Sequence, residues 1–187
     1  MYNVLLLDTN IVSHMGLKVP KPGLRPWLTE IGTARLAICY PVIAELLRGA
    51  HLLAPSNPDR AHEILNWVAE IQRTNFVVLQ MNLEVADVYA RMTSTPRLKY
   101  MWTSDGKSKR NRLGHDLMIA AVSIVHRTPI ITGNIGDFLA IDQSFPLPGV
   151  YHPYENVWYV APPFEVPLPL FDRARCDPET HLLPALH

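Results

Sequence analysis

The sequence predicts an α/β fold built on a parallel sheet. Short all-apolar runs end abruptly at polar residues, as in Val4-Leu5-Leu6-Leu7 before Asp8-Thr9-Asn10 and Leu36-Ala37-Ile38-Cys39. Such runs suit strands buried on both faces. Segments of helical period stand between them, and strands alternating with helices are the signature of parallel pairing with crossover connections.

Taken in order, Val4 to Leu7 is read as the first strand, and Asp8-Thr9-Asn10 as the cap of a helix reaching about Met15. Residues 18–25 contain Pro20, Pro22 and Gly23 and are expected to be loop. Leu36 to Cys39 is the second strand, and Pro41 fits the first turn of a helix running to about Leu53. Pro55-Ser56-Asn57-Pro58 breaks the chain. Ile64, Trp67, Val68 and Ile71 then give residues 59–74 a helical spacing. Phe76 to Leu79 reads as strand, and 83 to about 92 as helix. After Gly114, residues 115–126 are apolar nearly all round, which predicts a deeply packed helix. Pro129-Ile130-Ile131-Thr132 is a further short strand, and Val157 to Val160 is a candidate for one more.

Bulk properties narrow the class. The 187 residues fit one domain, with an appendage, and 48% hydrophobic residues support a full core rather than general disorder. The formal net charge is zero, so any pull on nucleic acid must be local. Two cysteines, Cys39 and Cys176, cannot make a disulfide framework or a Cys-rich zinc site. Cys39, in an apolar run, is expected to be a small core residue. Sparse cysteine agrees with a reducing cytoplasm. The start MYNVLLLDTN has no basic n-region, and its apolar run is too short for a signal peptide or a span. No membrane is expected as a partner, and a cytoplasmic location is.

Four acids stand at telling places. Asp8 ends a strand, Asp116 opens the apolar helix, and Asp137 follows the strand at Ile130-Ile131. Glu45 lies in the helix after the second strand, amid Val42, Ile43, Ala44, Leu46 and Leu47. Ligands of open α/β sheets bind at the carboxyl ends of strands, where these acids would meet. Each alone has a plainer explanation: a helix cap at Asp8, a macrodipole partner at Asp116, a solvated helix face at Glu45, a turn at Asp137. Gathered together, the four would repel, and one would take up a proton unless a cation neutralised them. Mg²⁺ or Mn²⁺ suits such oxygen donors and assists phosphodiester hydrolysis. No histidine pair has the HxxxH spacing of a zinc site.

The segments Leu6-Leu7-Asp8-Thr9-Asn10, Val42-Ile43-Ala44-Glu45-Leu46-Leu47-Arg48-Gly49, Asp116-Leu117-Met118-Ile119-Ala120-Ala121 and Thr132-Gly133-Asn134-Ile135-Gly136-Asp137-Phe138 resemble the PIN-domain family. The likeness is specifically to VapC-type toxin ribonucleases of toxin–antitoxin modules. The four come in the family's order over residues 4 to about 140. The resemblance implies a three-layer α/β/α sandwich around a central parallel sheet of four to five strands. It implies Mg²⁺- or Mn²⁺-dependent cleavage of RNA by water, with Asp8, Glu45, Asp116 and Asp137 as catalytic metal ligands. Thr9 and Asn10 would hold Asp8 and its loop, and Thr132 and Asn134 would be supporting polar positions. A homodimer and a small cognate antitoxin are the implied partners. The residues leave open a housekeeping nuclease, acting in RNA processing or on DNA, and a non-catalytic RNA-binding domain. An aspartyl-phosphate phosphatase is disfavoured because Asn10 stands where its second aspartate is needed.

Two segments depart from the family pattern. Residues 97–112 hold six basic residues against the single acid Asp105. There Lys107, Lys109, Arg110 and Arg112 are expected to grip RNA phosphates, with Tyr100 and Trp102 available to stack bases. Residues 1–144 are read as the nuclease domain. Residues 145–187, with nine of the 17 prolines, are read as an acidic, Pro-rich extension and not an independent domain. From Thr128 onward there are seven acids against two arginines, so an arm folding over the basic loop or docking on a sister subunit is one expectation, and a plain surface-hugging extension the other.

Overall fold

The computed structural model describes residues 4–16, 21–103 and 114–175. Strand β1 (Leu5–Leu7) is buried along its whole length. Asp8 follows it in extended conformation and caps helix α1 (Thr9–Met15) with its carboxylate. Helix α2 (Leu24–Ile31) starts inside the segment expected as loop. Pro26 falls in its first turn, where backbone N–H groups have no intrahelical partner, so the proline costs the helix nothing. Leu24, Trp27, Leu28 and Ile31 form its buried stripe.

Strand β2 (Leu36–Cys39) runs straight into α3 (Tyr40–Leu53), with Pro41 in the first turn as expected. Asn57 caps α4 (Pro58–Ile71) by accepting from the Arg60 N–H at 3.1 Å. Strand β3 (Val77–Leu79) precedes α5 (Leu83–Thr93), which Asn82 caps through the Val85 N–H at 2.9 Å. Helix α6 (His115–His126) buries Leu117, Ile119, Ala120, Ala121, Val122 and Ser123, in keeping with its nearly all-round apolar sequence. Strand β4 (Ile130–Ile131), helix α7 (Ile135–Asp142), strand β5 (Val150–His152) and strand β6 (Val157–Val160) complete the order.

The strands form one sheet in the order β3-β2-β1-β4-β5-β6. The first five are parallel, and β6 returns antiparallel to β5. Helices pack on this sheet as an α/β/α sandwich, and its core runs from β1 and α1 through α6, Phe138 and Ile141. Each fully buried aliphatic or aromatic side chain contributes about 1.5–3 kcal/mol relative to exposure. Cys39 is buried in this core, and burial pushes its thiol up to about 12.

Five parallel strands match the four to five expected, and the antiparallel β6 is added at the edge. The chain beyond Ser144 supplies β5 and β6, of which the apolar run at Val157 to Val160 was legible and the three residues of β5 were not. Beyond β6 the chain forms a strap docked on α2. Trp27 Nε1 donates to the Pro169 carbonyl at 2.7 Å, and Arg35 donates to the Pro167 carbonyl at 3.2 Å. The Asn156 side chain holds Phe171 from both sides, donating to its carbonyl at 3.1 Å and accepting from its N–H at 2.6 Å. Arg175 pairs with Glu30 on α2. Up to residue 175 the arm therefore meets its own chain at α2.

Candidate active site

The sheet order places β1 and β4 side by side at its centre, and chain order reverses between them. This is the switch point where open α/β sheets leave a crevice at their carboxyl ends. The Asp8 N–H donates to the Ile131 carbonyl at 3.0 Å, which carries the parallel pairing through to the aspartate. Asp8 is 3% exposed, and both of its carboxylate oxygens accept hydrogen bonds. It accepts from the Thr9 N–H at 2.6 Å, from the Thr132 hydroxyl at 2.6 Å and from the Asn10 amide. Burial pushes its pKa up to about 6; the hydrogen bonds oppose that rise and the Glu45 charge adds to it.

Thr132, at the end of β4, is wholly buried. Its hydroxyl donates to Asp8 and accepts from Asn10 Nδ2 at 3.0 Å and from the Asn134 N–H at 2.8 Å. Asn10 closes the ring, its Oδ1 accepting from the Gly133 N–H at 2.9 Å. Asp8, Asn10 and Thr132 are thus one connected polar network across the two central strands. Thr9 turns to the other side, and its hydroxyl donates to Glu45 Oε2 at 2.7 Å.

Glu45 sits in the second turn of α3, half exposed. His115 Nδ1 lies 3.5 Å from the same oxygen. Together with Thr9 and the nearby Arg48 charge, His115 holds the Glu45 carboxyl below its ordinary value, with the histidine the largest cause. Asp116 opens α6 directly after Gly114, which takes the left-handed φ of +66°. A Cβ at Gly114 would stand 3.0 Å from Trp102 Cβ, so glycine is required there. The Asp116 pKa rises to about 7, first through burial and then through the charges of Asp8, Asp137 and Glu45. Asp137, in the first turn of α7 rather than in a turn, accepts from Asn134 Nδ2 at 3.2 Å.

The four acids therefore share one electrostatic neighbourhood at the carboxyl edge of the sheet. Among the described residues they do not close into a ready-made cage: no three acid, histidine or cysteine groups stand at metal-binding separation. The donor set nonetheless fits a hard divalent cation. Every acid offers carboxylate oxygen, and Mg²⁺ keeps several waters and needs one or two direct carboxylates. A carboxyl raised to about 7 by burial and then by three other acids is relieved when a dication joins them. His115 was not anticipated from the sequence, although its place beside Asp116 was the available signal. Lys107, Lys109, Arg110 and Arg112 lie outside the described residues.

The family model described as the PIN domain matches residues 5–142. The chain belongs to the PIN domain family, whose members are generally nucleases. Among solved structures, FitAcB from Neisseria gonorrhoeae is 23% identical with a TM-score of 0.54, covering 81% of this chain and 99% of that one. VapBC2 from Rickettsia felis, bound to a DNA fragment from their promoter, is 21% identical with a TM-score of 0.50, over 73% of this chain and 91% of that one. VapBC-1 from nontypeable Haemophilus influenzae is 22% identical with a TM-score of 0.50, over 75% and 93%. These likenesses concern the fold. Sequence comparison with curated proteins finds no match. Among the described residues no helix is long and apolar enough to cross a membrane.

Proposed function

We propose that the chain is a divalent-cation-dependent endoribonuclease and the toxin of a type II toxin–antitoxin pair. The observation that carries the nuclease reading is the Asp116 carboxyl, raised to about 7 by burial and by three neighbouring acids. Such a gathering is costly to a fold that does not use it. Asp8, Glu45, Asp116 and Asp137 would hold Mg²⁺ or Mn²⁺. The bound cation would neutralise phosphodiester charge and activate water.

The chain's own residues do the rest. Thr132 and Asn10 fix the Asp8 carboxylate with hydrogen bonds and leave it no rotational freedom. Thr9 and His115 both engage Glu45 Oε2, which leaves Oε1 for the site. Asn134 orients Asp137. Water would attack phosphorus and give up a proton, and the P–O bond to the departing ribose oxygen would break as that oxygen takes up a proton from solvent. The toxin assignment is supported by the four family segments in order and by the likeness to VapBC structures. A small cognate antitoxin and a homodimer are the partners this reading implies, and a cytoplasmic location goes with it.

The test is cleavage of single-stranded RNA, and of DNA of the same sequence, by the purified chain with Mg²⁺, with Mn²⁺ and with EDTA. The reading requires RNA cleavage that EDTA stops and that Asp116→Asn abolishes. Full activity in the Asp116→Asn protein, or in EDTA, overturns it. Growth arrest on expression of the chain alone tests the toxin assignment, and harmless expression of an active enzyme overturns that part.

A further inference from the structure

The family match ends at residue 142, yet the chain beyond it reaches the edge of the carboxylate site. Tyr154, between β5 and β6, lies against the turn after β4. A Cβ built on Gly133 would stand 3.3 Å from Tyr154 Cε2 and 3.5 Å from Asn10 Oδ1. Gly133 and Asn10 are joined by a hydrogen bond of 2.9 Å, and Asn10 binds Asp8. Through Gly133 and Asn10 the buried aspartate is thus linked to an aromatic ring from beyond the family match.

That ring carries a cation. Lys21 Nζ sits 4.0 Å from the Tyr154 ring centroid, within the range of cation–π attraction. Both partners are fixed from the same side. The Tyr154 ring meets Phe171 edge-on at 5.1 Å and His152 at 5.6 Å. Lys21 begins the turn into α2, where Gly23 has a φ of +82° and a Cβ would fall 2.2 Å from the Asp172 carbonyl. The strap therefore supports the ring through Phe171 and presses on the lysine's turn through Asp172. Near Lys21, the His14 imidazole is held below its ordinary pKa by burial and by the lysine, so it brings no second charge at neutral pH. Glu155, the nearest acid in sequence to Tyr154, is engaged elsewhere, accepting from the Tyr159 hydroxyl at 2.7 Å.

An exposed ammonium seated on a ring that packs against the turn after β4 has a specific use. A polyanionic strand approaching four carboxylates is repelled except where fixed cations receive its phosphates. We propose that Lys21, seated on Tyr154, is a phosphate subsite for a nucleic-acid strand, taking a backbone phosphate next to the one at the carboxylate cluster. The inference rests on the nuclease reading for its purpose. The ring fixes where the ammonium stands, and the C-terminal strap fixes the ring.

The experiment measures binding of a short fluorescent single-stranded RNA to the full chain in EDTA, over a series of salt concentrations. Binding is then read without cleavage. Lys21→Ala is expected to lower affinity about fivefold at low salt, and to reduce the slope of log affinity against log salt by about 0.7, the increment of one phosphate on a single strand. Tyr154→Leu should reproduce part of the loss. Tyr154→Phe, which keeps the ring, should bind like the wild type. Circular dichroism and thermal melting check that each variant is folded. Wild-type affinity and slope in Lys21→Ala overturn the subsite, as does a wild-type chain that binds no RNA. Equal losses in Tyr154→Phe and Tyr154→Leu overturn the role of the ring. Failure of the wild type to cleave with Mg²⁺ would instead sink the nuclease reading while leaving this binding comparison intact.

Discussion

The Thr132 hydroxyl donates to Asp8 Oδ2 at 2.6 Å and joins the ends of two adjacent parallel strands that are far apart in sequence. Because the same hydroxyl accepts from Asn10 and from the Asn134 N–H, it is the hub of the site's polar network. Thr132→Val keeps the shape and deletes all three bonds. A buried polar group left without its partner costs about 1–3 kcal/mol. We expect a loss of that size in urea unfolding and weaker Mg²⁺ binding by calorimetry, because Asp8 gains freedom to turn. Wild-type metal affinity in this variant would show that Asp8 is oriented by other means.

The raised carboxyls make the stability of the cation-free protein fall as pH rises. Asp8 at about 6 and Asp116 at about 7 keep protons in the folded state that the unfolded chain releases near 3.8. Their favourable contribution is complete below about pH 4 and is lost by about pH 7. At ~1.4 kcal/mol per pKa unit, Asp8 alone accounts for a difference on the order of 3 kcal/mol. Glu45 acts oppositely, its contribution being present above its unfolded value and lost in acid, but its half-exposed carboxylate makes the effect small. Urea unfolding in EDTA at pH 4.5 and at pH 8 measures the balance, with greater stability expected at the lower pH.

Asp116→Asn should separate stability from activity. It removes a carboxyl that its surroundings disfavour when charged, so the cation-free variant is expected to be about 1–3 kcal/mol more stable than wild type at pH 8. It should also cleave no RNA. Mg²⁺ should raise the wild-type melting temperature more at pH 8 than at pH 5, and should scarcely move that of the variant. A destabilised Asp116→Asn protein at pH 8 would mean that its carboxylate is paired rather than strained.

Much of this site was legible in the sequence because its acids stand at abrupt ends of buried apolar runs. Asp8 after Leu5 to Leu7, and Asp116 at the head of an apolar helix, need no tertiary information to be noticed. The His115 contact with Glu45 depends on α6 crossing α3, which spacing along the chain does not reveal. Helix α2 was hidden by prolines that mark loops in general and are harmless in a first turn. Strand β5 was hidden for another reason. It is three residues long and bounded by Gly149 and Pro153, so its strand character comes from pairing with β4 and β6 rather than from its own pattern.

The strap offers a prediction in which backbone and side chain can be told apart. Asn156 has a φ of +56°, in the left-handed region, and its side chain binds both the N–H and the carbonyl of Phe171. Asn156→Gly retains the backbone conformation and removes the clamp together with the bond from the Tyr151 hydroxyl at 3.2 Å, so its cost reports the loss of three hydrogen bonds. Asn156→Ala removes the clamp and keeps a Cβ in the left-handed region without the short polar side chain that lets asparagine adopt it, which costs about 1–2 kcal/mol relative to glycine. Both variants should expose residues 161–175 to protease, since the strap is then held by Trp27 and Arg35 through the Pro169 and Pro167 carbonyls and by the Arg175–Glu30 pair. The alanine variant should be the less stable of the two in urea. Because Phe171 packs edge-on against Tyr154, both should also weaken RNA binding in EDTA in the direction of Tyr154→Leu. Protease resistance equal to wild type in both variants would show that the strap is held by α2 without Asn156.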